Sequence, residues 1–188
     1  MKIMWFGVFY VMVNVGVAKL VTLFMSWLNG ALTGLGFGYI VMIFYVVGLV
    51  AFLLPPVPGL PVYLTGGIIL VKQGEELMTF WGATAFASAI CFTIKLLAII
   101  LQQKVIGGSM SSSVTVRRLV GVNSISIRAI RRIMSVPGLT MAKVAILCGG
   151  PDWPTSVLTG ILKLSVFQML LGSLPVVFLV APMCVAGA

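Results

Sequence analysis

Few residues of this 188-residue chain are of types that do chemistry, and those few stand apart from one another. Histidine is absent, and Cys91, Cys148 and Cys184 are scattered through apolar stretches, so the sequence predicts no metal site and no cofactor. Paired carboxylates and a recognisable serine nucleophile are also missing, so we do not expect an enzyme. The charges inside apolar runs that draw attention are Lys95, Asp152 and Lys163.

Charged side chains inside apolar runs are energetically costly and often functional. Lys95 and Lys163 can attract the phosphate of a lipid, and Asp152 paired with a lysine can couple transport to an ion. Each role has a structural alternative. Lys163 can extend to the membrane surface, as Lys19 can in the first apolar run, and Asp152 can cap a short helix that begins at Trp153.

The composition predicts an integral membrane protein. The chain is 61% hydrophobic and only 8% charged, whereas soluble domains have roughly 25% charged residues. Its net charge of +9 would also suit nucleic acid, but five arginines lie within 117–132, between two apolar runs of membrane length. We therefore expect contact with membrane phospholipids and not with nucleic acid.

Two proline-rich breaks interrupt the apolar runs, at 55–61 and at 149–154. Backbone groups that proline frees at membrane depth must find partners in protein or in a water-filled cavity, so both breaks are candidate sites. The segments that follow, 61–66 and 154–160, are alike apart from one inserted residue, which indicates a weak internal repeat. The predicted tip residues are Pro58, Gly59, Gly66, Gly67, Pro151, Asp152 and Pro154.

Segment lengths define the predicted fold. A spanning helix needs about 20 residues, and the segments after each break reach only about 16 Å, so 39–71 and 139–164 are predicted to be re-entrant helical hairpins. Segments 80–101 and 165–186 are long enough to span. The fold class is an all-α integral membrane protein with spanning helices and two inverted re-entrant hairpins whose tips are broken by proline and glycine.

The predicted organisation is an N-terminal spanning helix with a linker, 1–36, followed by one domain, 37–188. The first helix is expected to be retained, because its apolar part is too long for a signal peptide and it lacks a small-residue cleavage site. Loop 102–137, predicted to contain a flexible stretch after Lys104, is rich in arginine and is therefore placed on the cytoplasmic side. The two hairpins then enter from opposite faces, as in transporters with inverted repeats.

Loop 102–137 also contains a predicted amphipathic helix capped by Asn123. Ile127, Ile130 and Ile133 or Met134 recur at helical spacing, which suits a helix lying on the membrane surface. The basic residues expected to contact anionic headgroups are Lys104, Arg128, Arg131 and Arg132. The arginines can instead reflect ordinary positive-inside topology.

Several short motifs together cover roughly 39–186 and resemble one family. The carrying residues are Pro58-Gly59 and Gly66-Gly67, Lys104 and Gly107, Arg131, Arg132 and Pro137, and finally Gly160, Phe167, Gly172 and Pro175. This pattern resembles the VTT/DedA family, also called SNARE-associated Golgi proteins, which includes the vacuole-membrane-protein and TMEM41-type lipid scramblases. The resemblance implies phospholipid scrambling between leaflets through a groove formed by two re-entrant hairpins.

The chain also departs from that family, which keeps other functions open. Many bacterial members have glutamate where this chain has Leu60, and an arginine where it has 153–156. The alternatives are an ion- or proton-coupled transporter of a small solute or lipid carrier, and a membrane scaffold that does not transport. The predicted location is multi-pass in an endomembrane (ER or Golgi) or plastid membrane of a eukaryote, or in a bacterial inner membrane. A homo-oligomer or a membrane-protein partner stays open.

Overall fold

The structure, a computed structural model, describes residues 2–32, 34–55, 57–150 and 152–188, with side chains from residue 11 onward except 13, 14 and 18. Every regular element in these ranges is helical, which confirms the all-α prediction. The helices are α1 (Lys2–Ala31), α2 (Phe37–Leu53), α3 (Gly59–Gly66), α4 (Phe80–Leu101), α5 (Val114–Val120), α6 (Ile125–Ser135), α7 (Met141–Gly149), α8 (Asp152–Ile161), α9 (Val166–Ser173) and α10 (Val177–Gly187). Pro151, a predicted tip residue, lies outside the described residues.

Three of these helices continue through turns of another type. A π-helical turn, Gly67–Val71, leads α3 into a last turn at Lys72–Gly74. A second π-helical turn, Gln102–Gly107, leads α4 into Gly108–Met110. A 3₁₀ turn, Leu174–Val176, joins α9 to α10. Among the described residues, Phe80–Met110 and Val166–Gly187 are the two helices long and apolar enough to cross a membrane.

The chain forms two compact units, one of residues up to 92 with 179–188 and one of 93–178. The first unit contains α1, α2, α3 and parts of α4 and α10. The second contains α5 to α9, the rest of α4 and the first two residues of α10.

In the first unit, the prolines set the ends of α2 and α3. Leu54 adopts an extended conformation because Pro55 disfavours the helical region at the residue before it, so α2 ends at Leu53. Pro58 is also extended and precedes the first residue of α3, Gly59. Helix α3 thus begins two residues before Pro61, the first residue of the segment predicted to follow the break. Pro61 falls in the first turn of the helix, where its missing N–H is not needed.

The predicted start of loop 102–137 is wrong, because the chain stays helical to Met110. Gln102 and Gln103 are buried, and Gln103 Nε2 donates to the Leu164 carbonyl over 2.8 Å. The polar residues 72–74, which follow the apolar segment 39–71, are likewise helical. Polar side chains alone are therefore poor signals of a helix end.

Glycine allows helix backbones to touch in the second unit. A Cβ atom on Gly160 of α8 would lie 2.2 Å from the Gln103 carbonyl oxygen, and one on Gly107 would lie 2.5 Å from the Val157 carbonyl oxygen. Real Cβ atoms do not approach oxygen so closely. The crossing of α8 with the π-helical end of α4 therefore requires glycine on both sides.

The first unit contains a crossing of the same kind between α3 and α10. A Cβ atom on Gly67 would lie 2.2 Å from the Cys184 carbonyl oxygen, and one on Gly187 would lie 2.1 Å from the Leu64 carbonyl oxygen. Small residues at such contacts are typical of helices that associate by close packing. This crossing also coincides with a π-helical turn, Gly67–Val71.

The predicted amphipathic helix exists as α6, but its apolar face packs against protein. Met134 is buried in a core cluster with Ile99, Leu147 and Met169, and Ile130 packs against the same cluster. The cap is Ser124, whose Oγ accepts from the Ile127 N–H over 3.3 Å, and not Asn123 as predicted. The apolar face that was predicted to lie on a membrane surface thus packs partly against the protein itself. Arg128, Arg131 and Arg132 are exposed, as is Ile125 at the start of the helix.

We predict that Gly160→Ala lowers the free energy of unfolding by about 1–3 kcal/mol, the usual cost of forcing extra atoms into a packed contact. Thermal unfolding of the purified protein measures this change. Gly108→Ala is the matched control, because its Cβ would lie 3.7 Å from its nearest neighbour, the Gln103 carbonyl oxygen, which is ordinary van der Waals contact. Equal melting temperatures for the two variants would contradict the role assigned to the crossing.

Candidate functional site

The second proline break positions an ion pair. Asp152 is the first residue of α8, and its carboxylate contacts the ammonium of Lys95 on α4. Lys95 is 2% exposed, whereas the Asp152 side chain is 30% exposed. The start of a helix favours a carboxylate, and a buried ammonium requires an opposite charge or several acceptors. In the capping alternative, Asp152 precedes a helix that begins at Trp153, whereas α8 begins at Asp152 itself.

This ion pair changes what Lys95 can do. A lysine whose charge is neutralised by a carboxylate is a weak anion attractor, so Lys95 in this arrangement is not an open phosphate site. The pair instead matches the coupling pair expected of a transporter. Pro154 lies in the first turn of α8, where a helix tolerates proline.

The first break borders a cavity of about 460 Å³ within the first unit. Pro58 and Pro61 of the break line it, together with Thr22, Ser26 and Asn29 of α1. These three polar residues are spaced i, i+4 and i+7, so they share one face of the helix. Sequence reasoning missed this polar face, although its spacing inside an apolar run was the signal that could have found it.

An apolar groove of about 510 Å³ lies in the same unit, between α1 and α2. Leu20 and Phe24 of α1 and Val46 and Val50 of α2 are among its lining residues. Met25 borders both the groove and the cavity at the first break. A cavity with three polar side chains on its α1 side and an apolar groove therefore adjoin along α1, an arrangement that suits an amphipathic ligand.

The tip glycines are buried packing positions. A Cβ atom on Gly59 would lie 3.0 Å from the Phe52 ring, and one on Gly66 would lie 2.4 Å from the sulfur of Cys91. Gly67 belongs to the crossing with α10. These glycines therefore serve close packing, and Pro58 is the predicted tip residue that lines the cavity.

Lys143 is a buried charge that sequence reasoning missed. It is fully buried on α7, and its ammonium donates to the Val136 carbonyl, to the Gly138 carbonyl over 2.9 Å and to Gln168 Oε1 over 3.0 Å. Gly138 has a left-handed φ of 81° and also donates its N–H to Gln168 Oε1. Lys143 thus ties the turn before α7 to α9. The rule that singled out Lys95, a charge inside an apolar run, would have found it.

Lys104 and Lys163, which were predicted separately, line one pocket of about 250 Å³ in the second unit. Lys163 follows α8 with a φ of 55°, the left-handed conformation that glycine usually adopts. Both lysines are exposed, as is Lys19 on α1. Unlike Lys95, neither of the two pocket lysines has an ion pair with a described residue.

These observations define a class, a helical protein with two helices long and apolar enough to cross a membrane and with polar sites at two proline breaks. Comparisons of the chain with protein-family models, with curated proteins and with solved structures found no match.

We predict that Lys143→Met lowers the free energy of unfolding by about 2–3 kcal/mol, because buried acceptors lose their donor. Lys72→Met is the matched control, since Lys72 is exposed and such surface changes usually stay within about 0.5 kcal/mol. Thermal unfolding of both variants measures the difference. Similar melting temperatures would show that Lys143 does not stabilise the turn before α7.

We predict that Asp152→Asn destabilises the protein by about 2 kcal/mol, less than the roughly 3–5 kcal/mol of a fully buried pair, because Asp152 is partly exposed. The double variant Lys95→Met/Asp152→Asn should recover most of this loss, since no buried ammonium is left without its counter-charge. A double-mutant cycle of unfolding free energies measures the coupling. Purely additive effects would argue against the ion pair.

Proposed function

We propose that this chain is an integral membrane protein that moves phospholipids between the two leaflets of a bilayer. One observation carries the proposal: a cavity at the Pro58 break, with polar side chains of α1 within its mostly apolar lining, adjoins an apolar groove along α1. A phospholipid likewise combines a polar headgroup with apolar chains. No covalent chemistry is needed, which agrees with the absence of a catalytic constellation in the sequence.

The membrane setting is supported by the outward faces of the helices. Tyr39, Met42, Val46 and Val50 recur along α2, and each is more than half exposed. The opposite face of the helix, with Phe44, is buried. A helix that is apolar on all sides is typical of a membrane span, since such an exposed stripe in water would favour aggregation.

The first break supplies a route for a headgroup. Crossing a bilayer is slow for a lipid because its charged headgroup must leave water. The side chains of Thr22, Ser26 and Asn29 provide polar groups along one face of α1, beside the interrupted backbone at Pro58. Breaks of this type are tolerated in membranes where they line a polar cavity.

Exposed basic residues and the family resemblance add support. Arg128, Arg131 and Arg132 extend from α6 away from the core cluster, where they can contact anionic headgroups on the cytoplasmic side. The resemblance to VTT/DedA scramblases, carried by the motifs quoted above, points to the same activity. Re-entrant hairpins and a multi-pass topology in an endomembrane, plastid or bacterial inner membrane belong to this proposal.

A second candidate is a transporter coupled to an ion or a proton, and the Lys95–Asp152 pair favours it. A paired lysine and aspartate inside an apolar region can separate when the carboxylate is protonated or binds a cation. Such a transporter requires an ion gradient, whereas a scramblase equilibrates lipids without one. The two candidates are therefore separable by experiment.

We predict that Thr22→Val/Ser26→Ala slows exchange of a fluorescent phospholipid in proteoliposomes without any ion gradient. Two lost polar contacts of about 1 kcal/mol each slow the exchange by about tenfold or more. Leu23→Val/Trp27→Leu is the matched control, because these exposed α1 residues do not line the cavity. Dithionite quenching of the outer leaflet measures the rate.

Three outcomes of this assay bear on the proposal. Normal exchange by the control together with slow exchange by the cavity variant supports it. An unchanged rate in the cavity variant removes the proposed route. Inserted wild-type protein that transports only under an ion gradient, and loses transport in Asp152→Asn, would establish the coupled transporter instead.

A further inference from the structure

The pocket that Lys104 and Lys163 share has features of a binding site. It measures about 250 Å³ and lies within the second unit, where α4, α8 and α9 end or begin. Two ammonium groups at one small pocket repel each other unless an anion lies between them. Neither amine has an ion pair with a described residue, so an anionic ligand is the natural partner.

The start of α9 adds a second anion-binding feature. Val166, its first residue, lines the same pocket, and the side chain of the preceding Ser165 does not cap the helix. First-turn N–H groups of a helix have no partner inside the helix and bind anions, phosphate in particular. The pocket thus combines two lysines with a helix N-terminus.

Gln103 supplies the observation that specifies the ligand further. It lines the pocket, is 2% exposed, and donates from Nε2 to the Leu164 carbonyl. That carbonyl only accepts, which fixes the orientation of the amide. Gln103 Oε1 is buried and has no hydrogen-bond partner among the described residues. A buried acceptor of this kind needs a donor, and phosphate alone does not provide one.

We propose that this pocket binds an aminoalkyl phosphate, a phosphate ester that also carries an ammonium group. The phosphate interacts with Lys104, Lys163 and the first N–H groups of α9, and the ligand ammonium donates to Gln103 Oε1. The headgroup of phosphatidylethanolamine and free phosphoethanolamine share this chemistry. The trimethylammonium of choline has no N–H, so the pocket selects against it. With a lipid as ligand, the inference rests on the proposed function and adds headgroup selectivity.

Lys163 offers a variant that tests the lysines without harming the turn. The Leu164 N–H donates to the Thr159 carbonyl and the Lys163 N–H to the Gly160 carbonyl, the pattern of a helix end closed by a left-handed residue. Glycine suits that position better than lysine does. Lys163→Gly therefore removes the ammonium and keeps or improves the fold.

The test measures lipid binding to the purified full chain in detergent by native mass spectrometry. The probes are phosphatidylethanolamine, its N-methyl and N,N-dimethyl derivatives and phosphatidylcholine, all with identical acyl chains. We expect phosphatidylethanolamine to bind about tenfold more tightly than phosphatidylcholine, the size of one charged hydrogen bond. Lys163→Gly and Lys104→Gln should weaken binding of every probe. Gln103→Met should abolish the preference, and thermal unfolding checks that it folds.

The methylation series tests the Gln103 contact without changing the protein. Equal affinity across the series overturns the proposal, and so does unchanged binding in the Lys163→Gly/Lys104→Gln variant. Competition with free phosphoethanolamine identifies the source: displacement of the lipid at similar concentration indicates a soluble ligand, and no displacement indicates the headgroup. Lipid exchange between leaflets, measured on the same preparations, separates the two proposals. Exchange without headgroup selectivity in binding rejects the proposed pocket ligand and leaves lipid transport standing. Headgroup selectivity without exchange rejects lipid transport and leaves the pocket ligand standing.

Discussion

Close contact between helix backbones is the constraint on which both units depend. Gly107 and Gly160 in one unit, and Gly67 and Gly187 in the other, meet carbonyl oxygens at distances that exclude any side chain. Apolar helices have little hydrophobic reason to associate when their surroundings are also apolar, so packing at short range must hold them. The weak internal repeat pairs Gly66 with Gly160, and each lies at or next to a crossing. The two repeated segments thus have the same role, which is to let helices pack closely.

Two buried lysines illustrate how an apolar interior accommodates charge. Lys95 is neutralised by Asp152, whereas Lys143 is surrounded by two carbonyls and an amide oxygen. The first arrangement contains a carboxylate that is partly exposed. The second contains no acid. The protein thus stabilises one buried ammonium with an opposite charge at the second break and the other with neutral acceptors between the turn before α7 and α9.

Sequence patterns were sufficient for the helices and the proline breaks, because apolar runs and proline act locally. They failed where tertiary contacts override local signals. Gln103 and Gly107 indicate the end of a helix, yet burial of the amide and the glycine crossing extend it to Met110. The pairing of Lys95 with Asp152 joins residues 57 positions apart, and no local pattern predicts it. The polar face of α1 was predictable from the helical spacing of Thr22, Ser26 and Asn29. It was missed because most other residues of this helix are apolar.

The π-helical turn at Gln102–Gly107 makes α4 tolerant of a change in chain length at this one place. A π-helical turn holds an additional residue compared with an α-helical one. Loss of one residue in regular helix would rotate every later residue by about 100°. Loss of one residue within the π-helical turn would instead restore an α-helical turn and leave the segment after Gly107 close to its present rotational position. The turn is therefore the place in this helix where chain length can change with the least disturbance of the residues that follow.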